Sequence, residues 1–270
     1  MVRIGTVWDS TTQVLAGRAG VLAPIAALAF WLPAVAQSAI RAYGSPSIGI
    51  VALNALVTLL ALVATLWGQL ATVAVASDPA TTRAEAGAAA TRRLPPALLV
   101  SLLLAAAFIL AAVPIVVALH LTGFDWRAAT AQAGSAGAPP MSAGAALFTF
   151  LYALLFVGVG LWLAARLFLL NAVVLNERRG IGAIGRSVEL TRGLTFRLIG
   201  VLVLLLILLV VGSFAAQSVV FVVVRLLLGA GQVATATFIG AVAGAAVTAA
   251  FSMIASVFAA RLYAAVRESK

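Results

Sequence analysis

The chain has 270 residues, of which 64% are hydrophobic and only 9% are charged. Charged residues make up about a quarter of a soluble domain, so this composition predicts a membrane protein. There is no cysteine, which excludes a disulfide framework and a thiolate metal site. The net charge of +10 is almost entirely arginine, because Lys270 is the only lysine. Such usage is typical of a GC-rich bacterial genome.

Six apolar stretches are long enough to cross a membrane, since a helix needs about 20 apolar residues for a hydrocarbon core of about 30 Å. They are Gly20–Ile40, Ile48–Ala76, Ala97–Leu119, Ala143–Leu175, Phe196–Leu228 and Val233–Ala260. Pro33–Ser38 resembles a signal-peptide cleavage site, but acidic Asp9 and a long polar stretch precede Gly20, so we expect an uncleaved span. The sequence therefore predicts an all-α polytopic membrane protein with six transmembrane helices in three hairpins.

The basic residues predict the orientation of these spans. If both termini are cytoplasmic, Arg41, Arg127 and Arg225 lie outside, and the remaining 14 of the 17 basic residues lie inside. Because positive charge accumulates on the cytoplasmic side, this orientation is strongly favoured. The predicted location is the cytoplasmic (inner) membrane of a bacterium.

A polar, cytoplasmic stretch precedes each predicted hairpin, at Thr6–Gly20, Ser77–Pro96 and Arg178–Gly193. In the second, Asp78 is expected to be an N-cap with Pro79 as the first helical residue. We predict a short amphipathic helix before each hairpin. The single membrane domain, 1–270, is then a possible threefold repeat of 1–76, 77–176 and 177–270. The alternative is that any six-span protein has basic linkers of this kind.

The segment RRGIGAIGRSVELTRG contains a literal G-x-G-x-x-G at Gly180, Gly182 and Gly185. A dinucleotide fingerprint requires a strand before the glycines and an acidic residue about 20 positions later. The preceding Ala143–Leu175 is too long and apolar for a strand, and the later position falls inside the fifth span. We interpret the match as accidental and the glycines as a bend.

On a helical wheel, the charged residues from this segment into the start of the fifth span fall on one side. Ile181, Ile184 and Val188 lie opposite, and Gly193 is expected to cap the helix. This pattern predicts an amphipathic helix in the membrane interface, with its guanidinium groups toward anionic lipid headgroups. The predicted headgroup contacts are Arg178, Arg179, Arg186, Arg192 and Arg197.

Part of this segment resembles a known family. GRSVELTRGLTFRLIG, Gly185–Gly200, is similar to a box, R-S-W-x-L-T-x-G-x-F-W-R-L-x-G, of the glycerophosphoryl diester phosphodiesterase membrane-domain family and related uncharacterised six-span bacterial proteins. Val188 replaces the first Trp of the box, and Thr195–Phe196 replaces its Phe-Trp. The ending AARLYAAVR, Ala259–Arg267, resembles the last span of the family. The positions that match the box are Arg186, Ser187, Leu190, Thr191, Gly193, Arg197, Leu198 and Gly200.

The resemblance implies an integral membrane module and no phosphodiesterase activity. In the family's namesakes that chemistry belongs to a separate soluble barrel with acidic metal ligands and histidines, which these 270 residues do not contain. The acidic residues fall in loops or interfacial helices, and His120 is the only histidine. We therefore predict no catalytic residue, no metal and no cofactor.

Polar residues inside the spans are the remaining candidates for function, because they are costly in a membrane. Arg166 is close enough to the inner border for its guanidinium to snorkel. The alternative is that Arg166 and Gln69 together line a polar cavity. Gly240 and Gly244 predict close helix packing within the bundle. The polar intramembrane candidates are Arg166, Gln69, Asn54, Asn171 and Gln217.

These patterns favour a non-enzymatic membrane protein that binds lipids or acts as a scaffold. Its predicted partners are anionic lipid headgroups on the cytoplasmic side, with no nucleic acid, because arginines beside a membrane meet lipid first. A small-molecule or lipid transporter with a cavity near Arg166 and Gln69 is the alternative. Homo-oligomers and protein partners are left open.

Overall fold

In the computed structural model, the described residues are 3–45, 47–122, 124, 142–177 and 180–268, and their regular elements are all helical. Six helices are long and apolar enough to cross a membrane, which confirms the predicted all-α polytopic fold. The elements are α1 (Ile4–Ala26), a π-helical turn (Ala27–Trp31), α2 (Leu32–Tyr43), α3 (Ile48–Ser77), α4 (Arg83–Leu121), α5 (Ala143–Leu167), α6 (Leu170–Asn176), α7 (Gly182–Leu190), α8 (Thr195–Leu228), a 3-10 turn (Ala230–Gln232) and α9 (Val233–Glu268).

The third spanning helix begins well before its apolar run. Thr82 and Glu85 form a reciprocal cap, in which Thr82 N donates to Glu85 Oε2 at 2.8 Å and Glu85 N to Thr82 Oγ1 at 3.3 Å. The alanine-rich residues that follow have high helix propensity. The predicted N-cap at Asp78 is wrong, because Asp78 ends α3 and its carboxylate accepts from Ala80 N at 2.9 Å.

Only one of the three predicted short amphipathic helices is a separate element. The stretch before the first span is continuous with it through α1, apart from non-helical dihedrals at Arg18 (φ −124°, ψ 15°). The second is the first part of the uninterrupted α4. The third is α7, which a bend at Gly180 separates from α6. Since α6 is a helix, the strand that a dinucleotide fingerprint requires is missing there.

The first span changes its helical pitch next to a close helix contact. Pro24 lies inside α1 and cannot donate a backbone hydrogen bond, and the π-helical turn follows it. Gly68 of α3 packs against this turn, where a Cβ atom would overlap Ala29. Trp31 Nε1 donates to Val242 O of α9 at 3.2 Å. The irregular turn is therefore fixed by both of its neighbours.

The chain forms two compact units. The first contains the described residues within Met1–Val100 and Ala165–Lys270. Its buried core includes Leu22, Leu70, Phe258 and Leu262, each at most 1% exposed. In this unit α8 and α9 pack closely. A Cβ atom at Gly240 would lie only 2.8 Å from Gln217 O, so a larger residue would not fit there. This contact confirms the predicted packing within the bundle. The threefold repeat stays a prediction.

The second unit is Ser101–Ala164, whose described residues are the remainder of α4 and most of α5. Phe108 and Phe156 meet edge to face with ring centroids 6.0 Å apart, and Tyr152 Oη donates to Ala111 O. The surface is apolar: Leu110 is 72% exposed and Phe150 is 65% exposed. A surface of this kind suits a hydrocarbon environment.

Candidate functional site

One end of the first unit gathers most of its charged and polar side chains, and we call it the basic end. It brings together the start of α1, the end of α3 and the ends of α6 and α9. Arg261 Nε donates to Ser10 Oγ at 2.6 Å, and Trp8 and Phe258 have ring centroids 6.2 Å apart. Asn176 Nδ2 lies 3.5 Å from Ser77 Oγ. Arg186, one of the predicted headgroup contacts, is joined to this end through Glu177 and Tyr263.

Helix α7 is attached to the end of α5 through Arg166. Ser187 Oγ and Thr191 Oγ1 donate to the Arg166 carbonyl at 2.9 and 3.1 Å, and Arg166 Nη1 donates to Val188 O at 3.1 Å. The buried residues of α7 are Ala183, Ser187 and Leu190, each at most 1% exposed. The small side chains of the first two let α7 approach the core closely. The buried face of α7 therefore differs from the predicted apolar face, in which Ile181 is 56% exposed.

A second set of contacts joins α7 to α9 through Glu177. Its Oε1 accepts from Arg186 Nε and from Tyr263 Oη, both at 3.2 Å. Arg186 Nη1 donates to Glu189 Oε2 at 2.9 Å. The hydrogen bond with Glu189, together with that to Glu177, raises the pKa of Arg186 above its usual range. Arg186 is thus paired with carboxylates of the protein itself.

The predicted single helix carrying all five arginines is not formed. Helix α7 ends at Leu190, and Gly193 has a φ of 86°, a left-handed conformation that favours glycine and starts a new helix direction. Arg192 lies in this turn and Arg197 lies on α8, so a continuous helical wheel does not apply to them. The expectation that Gly193 caps the helix is wrong, because the C-cap is Thr191 and Gly193 lies in the turn after it. Arg178 and Arg179 lie outside the described residues.

Among the described members of the predicted headgroup set, Arg192 and Arg197 are exposed. Neither side chain makes a hydrogen bond or ion pair within the described part of the chain. Phe196, next to Arg197 in sequence, is 88% exposed, and Ile181, directly before α7, is 56% exposed. The segment from Ile181 to Arg197 therefore presents both apolar and cationic side chains, and we call these four residues the amphipathic surface.

The polar intramembrane candidates meet in a different pairing from the expected one. Asn171 Nδ2 donates to Gln69 Oε1 at 2.8 Å, which joins α6 to α3. Gln69 is therefore bonded to Asn171, whereas the described bond of Arg166 is to Val188. The side chains of Asn54 and Gln217 make no hydrogen bond with any described residue. Gln217 instead packs against the α9 glycines, with its Oε1 3.5 Å from the position of a Cβ at Gly244.

The sequence pattern missed two residues that organise the basic end. No pattern in the sequence singles out Glu177, and Tyr263 occurs only within the resembling ending AARLYAAVR. Their bond joins positions 86 apart in the chain, which helical periodicity cannot reveal. The family resemblance was the sequence signal for these residues. Its two segments, Gly185–Gly200 and Ala259–Arg267, each contribute a side chain that bonds to Glu177.

Comparison of the chain with protein-family models, with curated proteins and with solved structures finds no match.

Proposed function

We propose that this chain is a non-enzymatic, multi-pass membrane protein whose basic end binds anionic lipid headgroups. The observation that supports this function best is the amphipathic surface, where one segment of the chain exposes Arg192 and Arg197 as well as Ile181 and Phe196. Apolar side chains enter the acyl boundary while neighbouring cations meet phosphates, which is how interfacial segments bind membranes. Each arginine near an anionic leaflet contributes about 1 kcal/mol.

The attachments of α7 support the same function. Hydrogen bonds to Arg166 and Glu177 hold α7 against the core, so the amphipathic surface is ordered before a lipid arrives. A preformed surface binds with a smaller entropic cost than a free segment. The surface therefore favours headgroups that fit a fixed spacing of charges.

The proposal places both termini and the basic end in the cytoplasm of a bacterium, at the inner membrane. The chain contains no cysteine, so single-cysteine variants report the side of the membrane without background. Ala88→Cys on α4 is expected to be protected from an impermeant maleimide in intact spheroplasts. Gly231→Cys is expected to react. Labelling of Ala88→Cys from the periplasmic side would contradict the orientation.

Headgroup selectivity is the direct test of lipid binding. The full chain is reconstituted with spin-labelled phosphatidylglycerol or phosphatidylcholine, and the motionally restricted fraction of each lipid is measured by electron paramagnetic resonance. We expect a preference for phosphatidylglycerol that decreases as salt rises. Arg192→Gln with Arg197→Gln is expected to reduce the preference by up to about fivefold per arginine, the equivalent of about 1 kcal/mol.

A matched control removes equal charge elsewhere. Arg41 and Arg225 are exposed residues near the other ends of their helices. Replacing both with Gln is expected to leave the preference within about twofold of the wild-type value, since screened charges act over about a Debye length. A salt-insensitive preference, or an equal effect of the two double variants, would refute headgroup binding at the basic end.

We also propose that the chain belongs with the glycerophosphoryl diester phosphodiesterase membrane-domain proteins. The likeness of Gly185–Gly200 and of Ala259–Arg267 to the family supports this. The transporter alternative relied on Arg166 and Gln69 lining one polar cavity. Their described hydrogen bonds go to Val188 and Asn171, which favours lipid binding over transport.

A further inference from the structure

A cavity of about 450 Å³ opens at the basic end between the end of α3, the start of α4 and the end of α6. Its volume lies within the range of about 300–1,000 Å³ that is usual for small-molecule sites. It is separate from the amphipathic surface, because none of the four residues of that surface lines it. Its lining includes the polar or small residues Ser77, Thr81, Ala89, Arg92, Arg93 and Asn176.

One face of α4 forms a wall of this cavity. Glu85, Ala89, Arg92 and Arg93 follow the i, i+4, i+7, i+8 spacing, which places them on one side of a helix. The methyl group of Ala89 leaves space between the capping carboxylate and the two guanidinium groups. The cavity therefore exists because a small residue precedes two long cationic ones.

The arginines of the wall have unused hydrogen-bonding groups. The side chains of Arg92 and Arg93 make no hydrogen bond or ion pair with any residue that the structure describes. Two carboxylates also line the cavity: Glu85 Oε2 accepts from Thr82 N and Oγ1, and Asp78 Oδ1 accepts from Ala80 N. By the usual inventory of five N–H groups per arginine, these two residues of the lining carry ten donors.

The opposite wall is held in place by Arg18. Its Nη1 donates to Pro79 O and its Nη2 to Thr81 O, so the guanidinium fixes the turn between α3 and α4. Asn176 Nδ2 donates to Ser77 Oγ at 3.5 Å and to Ala172 O at 2.9 Å, so the group that remains as a donor here is the Ser77 hydroxyl. The cavity therefore has donors on more than one wall.

We propose that this cavity binds a phosphate-bearing anion through Arg92 and Arg93. Arginine binds phosphate oxygens with paired, charge-assisted hydrogen bonds, and the small polar groups opposite complete the set of donors. The shared chemistry is a phosphate monoester or diester, supplied either by a phospholipid headgroup or by a soluble ion. This site goes beyond the proposed function, because it is one defined cavity and uses none of the residues of the amphipathic surface.

Binding is measured on the full chain in a neutral detergent. The probes are inorganic phosphate and dihexanoyl phosphatidylglycerol, with dihexanoyl phosphatidylcholine as the zwitterionic comparison, and the readouts are the thermal unfolding midpoint and native mass spectrometry. We expect saturable binding of one anionic probe per chain. Arg92→Gln with Arg93→Gln is expected to weaken it at least tenfold. Arg192→Gln with Arg197→Gln, which removes the same charge from the amphipathic surface, is expected to change it less than twofold.

A steric pair tests the cavity without changing charge. Ala89→Leu fills the space between Glu85 and the arginines and is expected to weaken binding at least fivefold. Ala88→Leu, at the adjacent exposed position, is the matched control and is expected to leave binding unchanged. This pair keeps the test decisive if the double arginine variant does not fold.

The probes separate the sources of the anion. Saturation by phosphatidylglycerol alone supports a lipid headgroup as the ligand, saturation by phosphate alone supports a soluble ion, and saturation by both shows that the phosphate group suffices. Absence of saturable binding to the wild-type chain overturns the proposal, as does unchanged binding in both Ala89→Leu and the Arg92, Arg93 variant. Loss of headgroup preference only in the Arg192, Arg197 variant would instead concern the amphipathic surface.

Discussion

The two compact units use similar apolar helices but different means of holding them together. In the first unit, side chains far apart in sequence bond to one another, as Asn171 does to Gln69 and Arg261 to Ser10. In the second unit, Tyr152 bonds to the Ala111 carbonyl, and Phe108 meets Phe156 edge to face. The difference indicates that specific contacts, and with them candidate sites, belong to the first unit.

Glycines show the same difference at the level of packing. A Cβ atom at Gly240 would meet Gln217 O at 2.8 Å and Phe221 Cβ at 3.1 Å. At Gly158, in the second unit, a Cβ atom would have no neighbour within 4 Å. The first unit therefore requires small residues where its helices touch, whereas the second has room on this face of α5.

The largest expected effect comes from filling a glycine contact. Gly240→Leu is expected to destabilise the chain by about 1–3 kcal/mol or more, because the backbone of α8 must move away. Gly158→Leu is the matched control and is expected to be neutral or slightly stabilising, since leucine has the higher helix propensity. Thermal unfolding in detergent, followed by circular dichroism, measures both. Equal destabilisation would mean that the two units are packed alike.

A smaller, local effect is expected from removing the guanidinium of Arg18. Arg18→Gln leaves the carbonyls of Pro79 and Thr81 without their charged donor, a loss of about 1–3 kcal/mol for the opening of this turn. Hydrogen exchange of the amides of 78–82 is expected to accelerate while exchange in α5 stays the same. Arg83→Gln, an exposed arginine at the start of α4, serves as the control. Unchanged exchange at 78–82 would show that Arg18 does not fix the turn.

The bond between Gln69 and Asn171 is expected to contribute about 0.6–2 kcal/mol, the range for hydrogen bonds between membrane helices. Gln69→Leu and Asn171→Leu each leave one amide without its partner, so each is expected to destabilise the chain. The double variant is expected to be less unstable than the two effects combined. A double-mutant cycle on thermal unfolding measures this coupling. Strictly additive effects would show that the two amides do not interact.

The spans could be predicted from the sequence because hydropathy is a property of continuous segments. All six apolar runs lie within the six spanning segments, including Gly20–Ile40, which α1, the π-helical turn and α2 share, and Ala143–Leu175, which α5 and α6 share. The helix starts were placed less well, since alanine-rich polar residues such as those after Thr82 extend a helix without raising its hydropathy. A cap formed by Thr82 and Glu85 decides that start.

The candidate site was less predictable, because its contacts join distant segments. The five arginines of the amphipathic helix were placed by assuming 100° per residue throughout, and the left-handed Gly193 breaks that assumption between Arg186 and Arg197. The pairing of Asn171 with Gln69 spans 102 positions, so no local pattern distinguishes it from a pairing with Arg166. A helical wheel predicts which side chains share a face but not which neighbour that face meets.

The smallest expected effect compares one hydroxyl from each unit. Thr191 Oγ1 donates to Arg166 O at 3.1 Å and lies 2.9 Å from Ser187 O. Thr149 Oγ1 is buried without a hydrogen-bond partner among the described residues. Valine has nearly the same shape as threonine but no hydroxyl, so the substitution isolates the hydrogen bond.

Thr191→Val is expected to cost about 0.5–1.5 kcal/mol, the usual net value of one such bond, because α7 loses an attachment to Arg166. Thr149→Val is expected to be neutral or stabilising, because it removes a buried hydroxyl that nothing satisfies. Thermal unfolding midpoints of the two variants give the comparison directly. A loss of stability in Thr149→Val as large as in Thr191→Val would mean that the second unit also depends on polar contacts, and the contrast between the two units would then rest on their glycines alone.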